Sequence, residues 1–468
     1  MSATIVSDKT LDVPYSLSLP AELLVEIFDM CSPLGDDGLD GLSDTTTPLE
    51  EANRLAKTYL LQLSQVCSHW HVLVMGTPML WRILIADTTL WHVAPVSAEK
   101  LFELVTVSLD RGGSHPLCLE VAVEDQHGYG SRALDLLARH SRRWRQVVVW
   151  SGFSIFQSIL PARGNLPLLE KLEITQNGDW MDCDVFEIAP RLTTFTITGW
   201  VTSVPVLPWG QIQSFNYRNF EANDLAQALA HLRHDFAPQA LCDLTLVAWD
   251  IRRPIDLPPV ISNLSSLALT LAIDETQGNV LGPILGCLTT RFLSSLSLTG
   301  RAQEPPLEWC QRSFIALASR SGLYTTLTTL EINRTSIRDD EVIASLSALP
   351  ALEQLFLADC VTEPPHIVIT DHLLRLLTWP ADSTAPLVPR LNFLCLTSVL
   401  GFTDDVYWNF VDSRLVPAQW SDLLLEAKIY WLPNCTRTLS DQFLERGAQL
   451  DAARELNFTA RSDIEYEQ

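Results

Sequence analysis

The side chains best equipped for chemistry are few and scattered. Cys67, His69 and His71 crowd together in the run CSHWH, and a thiol beside an imidazole is the pairing that makes a nucleophile. Cys67 also falls on an apolar stripe with Leu63, Val66, Trp70, Leu73 and Val74, where a cysteine is more simply a small core residue. His231 and His234 stand about one helical turn apart and could clamp a metal. No third ligand lies near them in the chain, so helix surface is the plainer reading. Asp36, Asp37 and Asp40 have the density of a calcium loop but lack the terminal glutamate of an EF-hand. Arg142, Arg143 and Arg145 form the one compact basic patch, which reads as a solvated helix end. The chain has no Gly-rich phosphate loop, no HExxH and no GxSxG. No catalytic residue, metal site or cofactor is expected, and the chain reads as a non-enzyme.

Bulk composition points the same way. The chain has 468 residues, 47% of them hydrophobic, and a net charge of -24. That much apolar material can fill a core, which argues against global disorder. So acidic a surface repels phosphate backbones and anionic lipid, so neither nucleic acid nor membrane is an expected partner. No basic-then-apolar leader opens the sequence and no run of about 18 uncharged apolar residues appears. The ten cysteines are scattered without a CxxC pair, which suits reduced thiols in cytoplasm or nucleus.

The elements that must position any site begin at Leu19. The run LPAELLVEIFDMC carries Pro20 at a first helical position, Glu22 in the first turn, and Leu23, Leu24, Ile27, Phe28 and Cys31 at helical spacing. An acidic loop, 34–47, follows. Thr47-Pro48-Leu49-Glu50 then has the form of a capping box that restarts a helix. That second helix would carry the stripe from Leu63 to Val74, and Leu80-Trp81 would close the module after Pro78. Helices this short are marginal alone, and apolar surface they cannot bury should seek a partner.

These residues resemble the F-box-like domain common in fungal proteins: LP-x-E-L-L-x-E-I-F, then L-S-Q-V-C-x-x-W, then T-P-x-L-W. The resemblance covers residues 17–85, with 1–16 as a flexible lead. It implies that the module binds a Skp-type adaptor and, through it, a cullin–RING ubiquitin ligase. On the family's motif fall Leu19, Pro20, Leu23, Ile27, Val66, Cys67, Trp70, Leu80 and Trp81, some facing the adaptor and others the module's own core. The chain departs from the pattern in the inserted loop and in His71, which stands where a basic residue usually follows the tryptophan.

Behind the module lies a repeat. The pattern L-x-x-L-x-L, with other apolar residues admitted, occurs nine times, beginning at Leu169, Leu192, Ile212, Leu241, Leu264, Leu293, Leu327, Leu352 and Leu391, with a weaker copy at Trp144-Val147-Val149. The start-to-start spacings of 23, 20, 29, 23, 29, 34, 25 and 39 residues are irregular. Each alternating tail predicts a short strand, and only stacking lets such units bury their leucines. This resembles a leucine-rich-repeat horseshoe, an α/β solenoid over 151–410. Asn or Cys follows at the signature position only at Asn177 and Cys360. A looser αβ fold whose strands share a pattern is the alternative. Residues 86–150 read as linker half-repeats, with helices near 97–109 and 131–141, and 411–468 as a helical C-terminal cap and tail.

Alternation along the strands would set one column on the open face: Glu173, Thr196, Asn216, Thr245, Ala268, Ser297, Glu331, Phe356 and Cys395. That face is hydroxyl-lined, nearly uncharged in its middle, and apolar at its end, where Phe356, Phe393 and Cys395 are candidate substrate-binding residues. The competing assignment puts the two rings beneath a terminal helix at 439–457. Taken together, these features predict the substrate-recognition subunit of an F-box-type ubiquitin ligase acting on a protein target, with a non-catalytic scaffold outside any ligase as the rival.

Overall fold

The computed structural model describes residues 19–30, 59–88, 95–123, 128–151, 155–176, 183–200, 203–219, 225–248, 256–273, 279–301, 304–360, 366–380, 386–415, 424–432, 435, 437–454 and 456–462. The acidic loop 34–47, the capping box at Thr47 and the positions of Asp36, Asp37, Asp40 and Asn177 lie outside them. The chain divides into two compact units, one formed by Met1–Asn177, Met181–Leu192 and Pro205–Pro208, the other by the remainder.

The first unit opens with helices. These are α1 (Ala21–Met30), α2 (59–66) and α3 (Ser68–Gly76), followed by a 3-10 turn at Pro78–Trp81. The single helix expected to carry Leu63 to Val74 is broken at Cys67. That residue is extended (φ -159°, ψ 168°), and its thiol accepts the backbone N–H of Trp70, so it caps α3 rather than continuing α2. Strands β1 (Ile83–Asp87), β2 (Leu117–Val123), β3 (Trp144–Ser151) and β4 (Lys171–Gln176) then pair in parallel in chain order. Parallel neighbours need crossovers. Helix α4 (Pro95–Arg111) links β1 to β2, α5 (Tyr129–Ala138) links β2 to β3, and the short α6 (Phe156–Ile159) lies between β3 and β4. Leu119, Val121, Val147, Val149, Leu172 and Ile174 face Leu134 and Leu137 of α5 across an apolar interior.

Of the arginines expected to form a solvated helix end, Arg142 and Arg145 are exposed and Arg143 is half-buried. Arg143 donates to the carbonyls of His115 and Leu109, both at 2.9 Å, Arg142 reaches Asn165, and Arg145 pairs with Glu170 at 2.8 Å. Each guanidinium serves a different neighbour because the turn before β3 splays them apart.

The second unit is a longer run of the same kind. Strands β5 (Thr194–Gly199), β6 (Ser214–Asn219), β7 (Leu241–Ala248), β9 (Ser266–Ile273), β11 (Ser295–Gly300), β12 (Thr329–Asn333), β13 (Gln354–Ala358), β14 (Phe393–Ser398), β15 (Glu426–Trp431) and β16 (Asn457–Ser462) follow one another, all parallel. The short β8 (Val260–Ser262) and β10 (Leu288–Thr290) pair separately. Helices α7 (Leu225–Ala230), α8 (Leu281–Cys287), α9 (Gln311–Ser321), α10 (Leu323–Thr326), α11 (Asp339–Ser347), α12 (Asp371–Leu377), α13 (Asp404–Leu415) and α14 (Asp441–Ala453) fill the crossovers. Every leucine-repeat position chosen from sequence falls on or beside a strand, and Leu192, Ile212, Leu264, Leu293, Leu327, Leu352 and Leu391 are fully buried.

Two expectations fail here. The segment 411–468 is not helical throughout, since it adds β15 and β16 to the parallel run. NFTARS has little alternation of its own and is held by backbone pairing to β15. The second failure is one of register. The leucine pattern expects Leu241 at the first, buried apolar position of its repeat, yet it is 53% exposed, while Cys242, Leu244 and Leu246 are buried. Asn216 pairs with Asp243, and Asp243 with Ala268. The middle column therefore carries Asp243, and Thr245 moves to the flanking one.

Candidate functional site

The helical module sorts its apolar residues by face. Leu24 and Phe28 of α1, Val74 of α3, and Leu80 and Trp81 of the 3-10 turn form one buried cluster, with Leu60, Leu63, Trp70 and Leu73 packed partly against it. Phe28 meets the Trp70 ring edge-on at 4.8 Å, and the Trp81 indole N–H donates to the Val74 carbonyl at 2.8 Å. Tyr59 donates to the Phe28 carbonyl, and Arg82 pairs with Asp29 at 3.0 Å, fixing the end of α1 to the start of β1.

The other faces stay open. Leu19, Leu23, Ile27 and Met30 recur at spacings of four, four and three along α1 and its approach, and all are exposed, as are Leu61 of α2, Val66 at its end and Val72 of α3. Of the nine residues read from sequence, Leu19, Pro20, Leu23, Ile27 and Val66 are exposed, Cys67 and Trp70 half-buried, and Leu80 and Trp81 buried. The structure thus divides that set into a surface and a core. Met30 and Val72 join this exposed set without falling on the family's motif, and the period-3.6 stripe of α1 points at Met30. Cys67 and His71 do not form a reactive pair. The thiol caps α3, and the His71 Nδ1 lies 3.2 Å from the Ser64 carbonyl oxygen.

In the second unit the open side of the strands carries Phe356 and Phe393, half-buried with ring centroids 4.9 Å apart. The Lys428 ammonium sits 5.3 Å from the Phe393 centroid and is held by Glu426 at 2.7 Å. Phe356 pairs in register with Glu331 on one side and Cys395 on the other. The alternative in which a terminal helix covers these rings finds no support in the contacts of α14, whose Phe443 meets Tyr407, Trp408 and Phe458. The face is also less neutral than expected. Asp243 lies in its middle with one carboxylate oxygen buried and unpartnered, and burial raises its pKa against the pull of Arg218.

The two histidines considered as a metal clamp are not on a helix surface. His231 is buried, its ring 4.9 Å from Tyr217, and His234 stacks on Trp209 at 3.8 Å with planes 5° apart. Burial lowers both imidazoles to about 4. Both serve as aromatic packing.

Against known families, residues 16–87 match the F-box-like family, so this segment is an F-box-like domain. Comparison with curated proteins gives no match.

Proposed function

We propose that this chain is the substrate-recognition subunit of an F-box-type, cullin–RING ubiquitin ligase. The observation that carries the reading is the sorting of the F-box-like domain into a closed core and an unburied apolar side. F-box domains generally bind Skp-type adaptors, and Leu19, Leu23, Ile27, Met30 and Val66 are the residues that would enter that contact. Exposed leucines and isoleucines at helical spacing cost solubility unless a partner covers them.

The parallel strands behind the domain act as a leucine-rich-repeat-like solenoid over 151–410, reached through linker half-repeats at 86–150 and closed by 411–468. Its open face presents a protein target, with Phe356, Phe393 and Cys395 among the contacts. The chain contributes proximity and orientation rather than bond-making groups. With this role goes a cytoplasmic or nuclear site of action.

The test is co-purification followed by mass spectrometry, comparing the wild type with Leu23→Asp/Ile27→Asp. Both residues are exposed, so the pair should fold and lose adaptor and cullin together. Undiminished adaptor recovery would overturn the docking assignment. Recovery of adaptor without cullin would favour a scaffold outside any ligase.

A further inference from the structure

In the second unit, a pocket of about 350 Å³ opens to solvent beside the small sheet of β8 and β10. Asp256, Leu257 and Pro259 reach it from the approach to β8, Pro283 from α8, Thr289 from β10 and Arg320 from the last turn of α9. The chain enters β10 directly from α8, and Leu288 pairs in register with Val260. That pairing brings the residues just before β8 to the end of the helix. The volume falls at the small end of the range for ligand sites, about 300–1,000 Å³.

Two charges of opposite sign line this pocket without pairing. Arg320 is anchored, because its Nη2 donates to the carbonyls of Leu285 and Leu288, both at 2.8 Å. These are carbonyls at the end of α8 that the helix itself leaves unsatisfied. Capping uses Nη2 alone, and Nε and Nη1 have no partner among the described residues. Asp256 is exposed and makes no hydrogen bond or ion pair among the described residues. Leu257, Pro259 and Pro283 make the rest of the wall apolar, and Thr289 adds a hydroxyl to the lining.

A ligand complementary to this lining carries an anion, a cation and an apolar remainder. A sphere of 350 Å³ is about 9 Å across. Two charge-assisted hydrogen bonds of about 2.8 Å leave about 3 Å between the ligand's own charges, which is the separation of ammonium and carboxylate in an α-amino acid. A phosphate would be repelled by Asp256, and a simple amine would leave Arg320 unanswered. We propose that the pocket binds a free α-amino acid with an apolar side chain. Arg320 donates to its carboxylate, Asp256 accepts from its ammonium, and its side chain lies on Leu257, Pro259 and Pro283. The site goes beyond the adaptor and target contacts and depends on neither.

The test is equilibrium dialysis of the full chain against radiolabelled L-leucine at pH 7.5. One leucine should bind per chain, saturably, with a Kd at or below about 1 mM. The competitors 3-methylbutylamine, which lacks the carboxylate, and 4-methylpentanoate, which lacks the ammonium, should each displace it at least roughly tenfold less well. Asp256→Asn changes one exposed, unpartnered side chain and should fold. It should weaken leucine binding at least roughly tenfold and erase the preference for leucine over 4-methylpentanoate. Arg320→Gln should erase the preference over 3-methylbutylamine. Arg320 also holds the end of α8, so if that variant does not fold, the two competitors and Asp256→Asn decide. The proposal is overturned by the absence of saturable binding up to about 10 mM leucine, by either competitor matching leucine on the wild type, or by Asp256→Asn binding leucine as the wild type does.

Discussion

At the scale of single residues, the F-box-like domain shows neighbours with opposite duties. Ile27 and Phe28 are adjacent, yet Ile27 is exposed and Phe28 is 2% exposed against Trp70. Truncating Phe28 to alanine should cost about 3–5 kcal/mol, the usual price of deleting a buried ring. Ile27→Ala should stay within about 0.5 kcal/mol. Urea denaturation of the full chain, followed by the fluorescence of the nearby tryptophans, checks the contrast, and equal costs would refute it. The helical period of these residues was legible from LPAELLVEIFDMC, but the inward face was not. Leu23 and Leu24, like Ile27 and Phe28, are apolar side by side, so hydrophobicity could not choose between two faces 100° apart. Cys67 was misleading for a related reason: its type suits a core, and only the extended backbone reveals a cap.

At the scale of elements, strands announced themselves wherever leucines alternated with hydroxyl residues. SLSLTG at β11 reads as one face buried and one open, and it folds so, with Leu296 and Leu298 buried. Register in β7 was not legible, because Cys242, Leu244 and Leu246 are all apolar on one parity, so a two-residue slip keeps the same face inward. The observed register predicts that Leu241→Ser changes stability by less than about 0.5 kcal/mol, whereas Leu244→Ala costs about 2–5 kcal/mol. Chemical denaturation of both variants distinguishes this from the register that the leucine spacing alone suggests, which predicts a severe loss at both. β16 escaped notice because its anchor is tertiary: Phe458 packs against Phe443 and Trp408, close over Gly447, where a methyl group would collide with the ring.

At the scale of the whole molecule, buried titratable groups make stability depend on pH. His231 and His234 hold folded pKa values of about 4, against about 6.5 in an unfolded chain. The folded state binds fewer protons in that interval, so their contribution is intact above pH 6.5 and is lost as pH falls through 4. The melting temperature of the second unit should therefore drop between these limits. His231→Phe should flatten the drop, and an unchanged slope would show that other groups govern acid sensitivity. Glu120 works in the opposite sense in the first unit, where stability present below its unfolded pKa is lost as pH rises through about 7.

Asp359 accepts from the backbone N–H groups of Val368, Ile369 and Val399 and from the Ser398 hydroxyl, while Arg414 donates to the carbonyls of Leu377, Leu387 and Val388. Both charges clamp the one crossover between β13 and β14, and both tie it to the chain around and beyond β14, Asp359 through Ser398 and Val399 and Arg414 from its place on α13. For evolution this couples two neighbouring repeats. A loop in either crossover cannot lengthen or shorten without disturbing a staple it shares with the other, so here new loops must be auditioned two repeats at a time while the parallel strands stay in step.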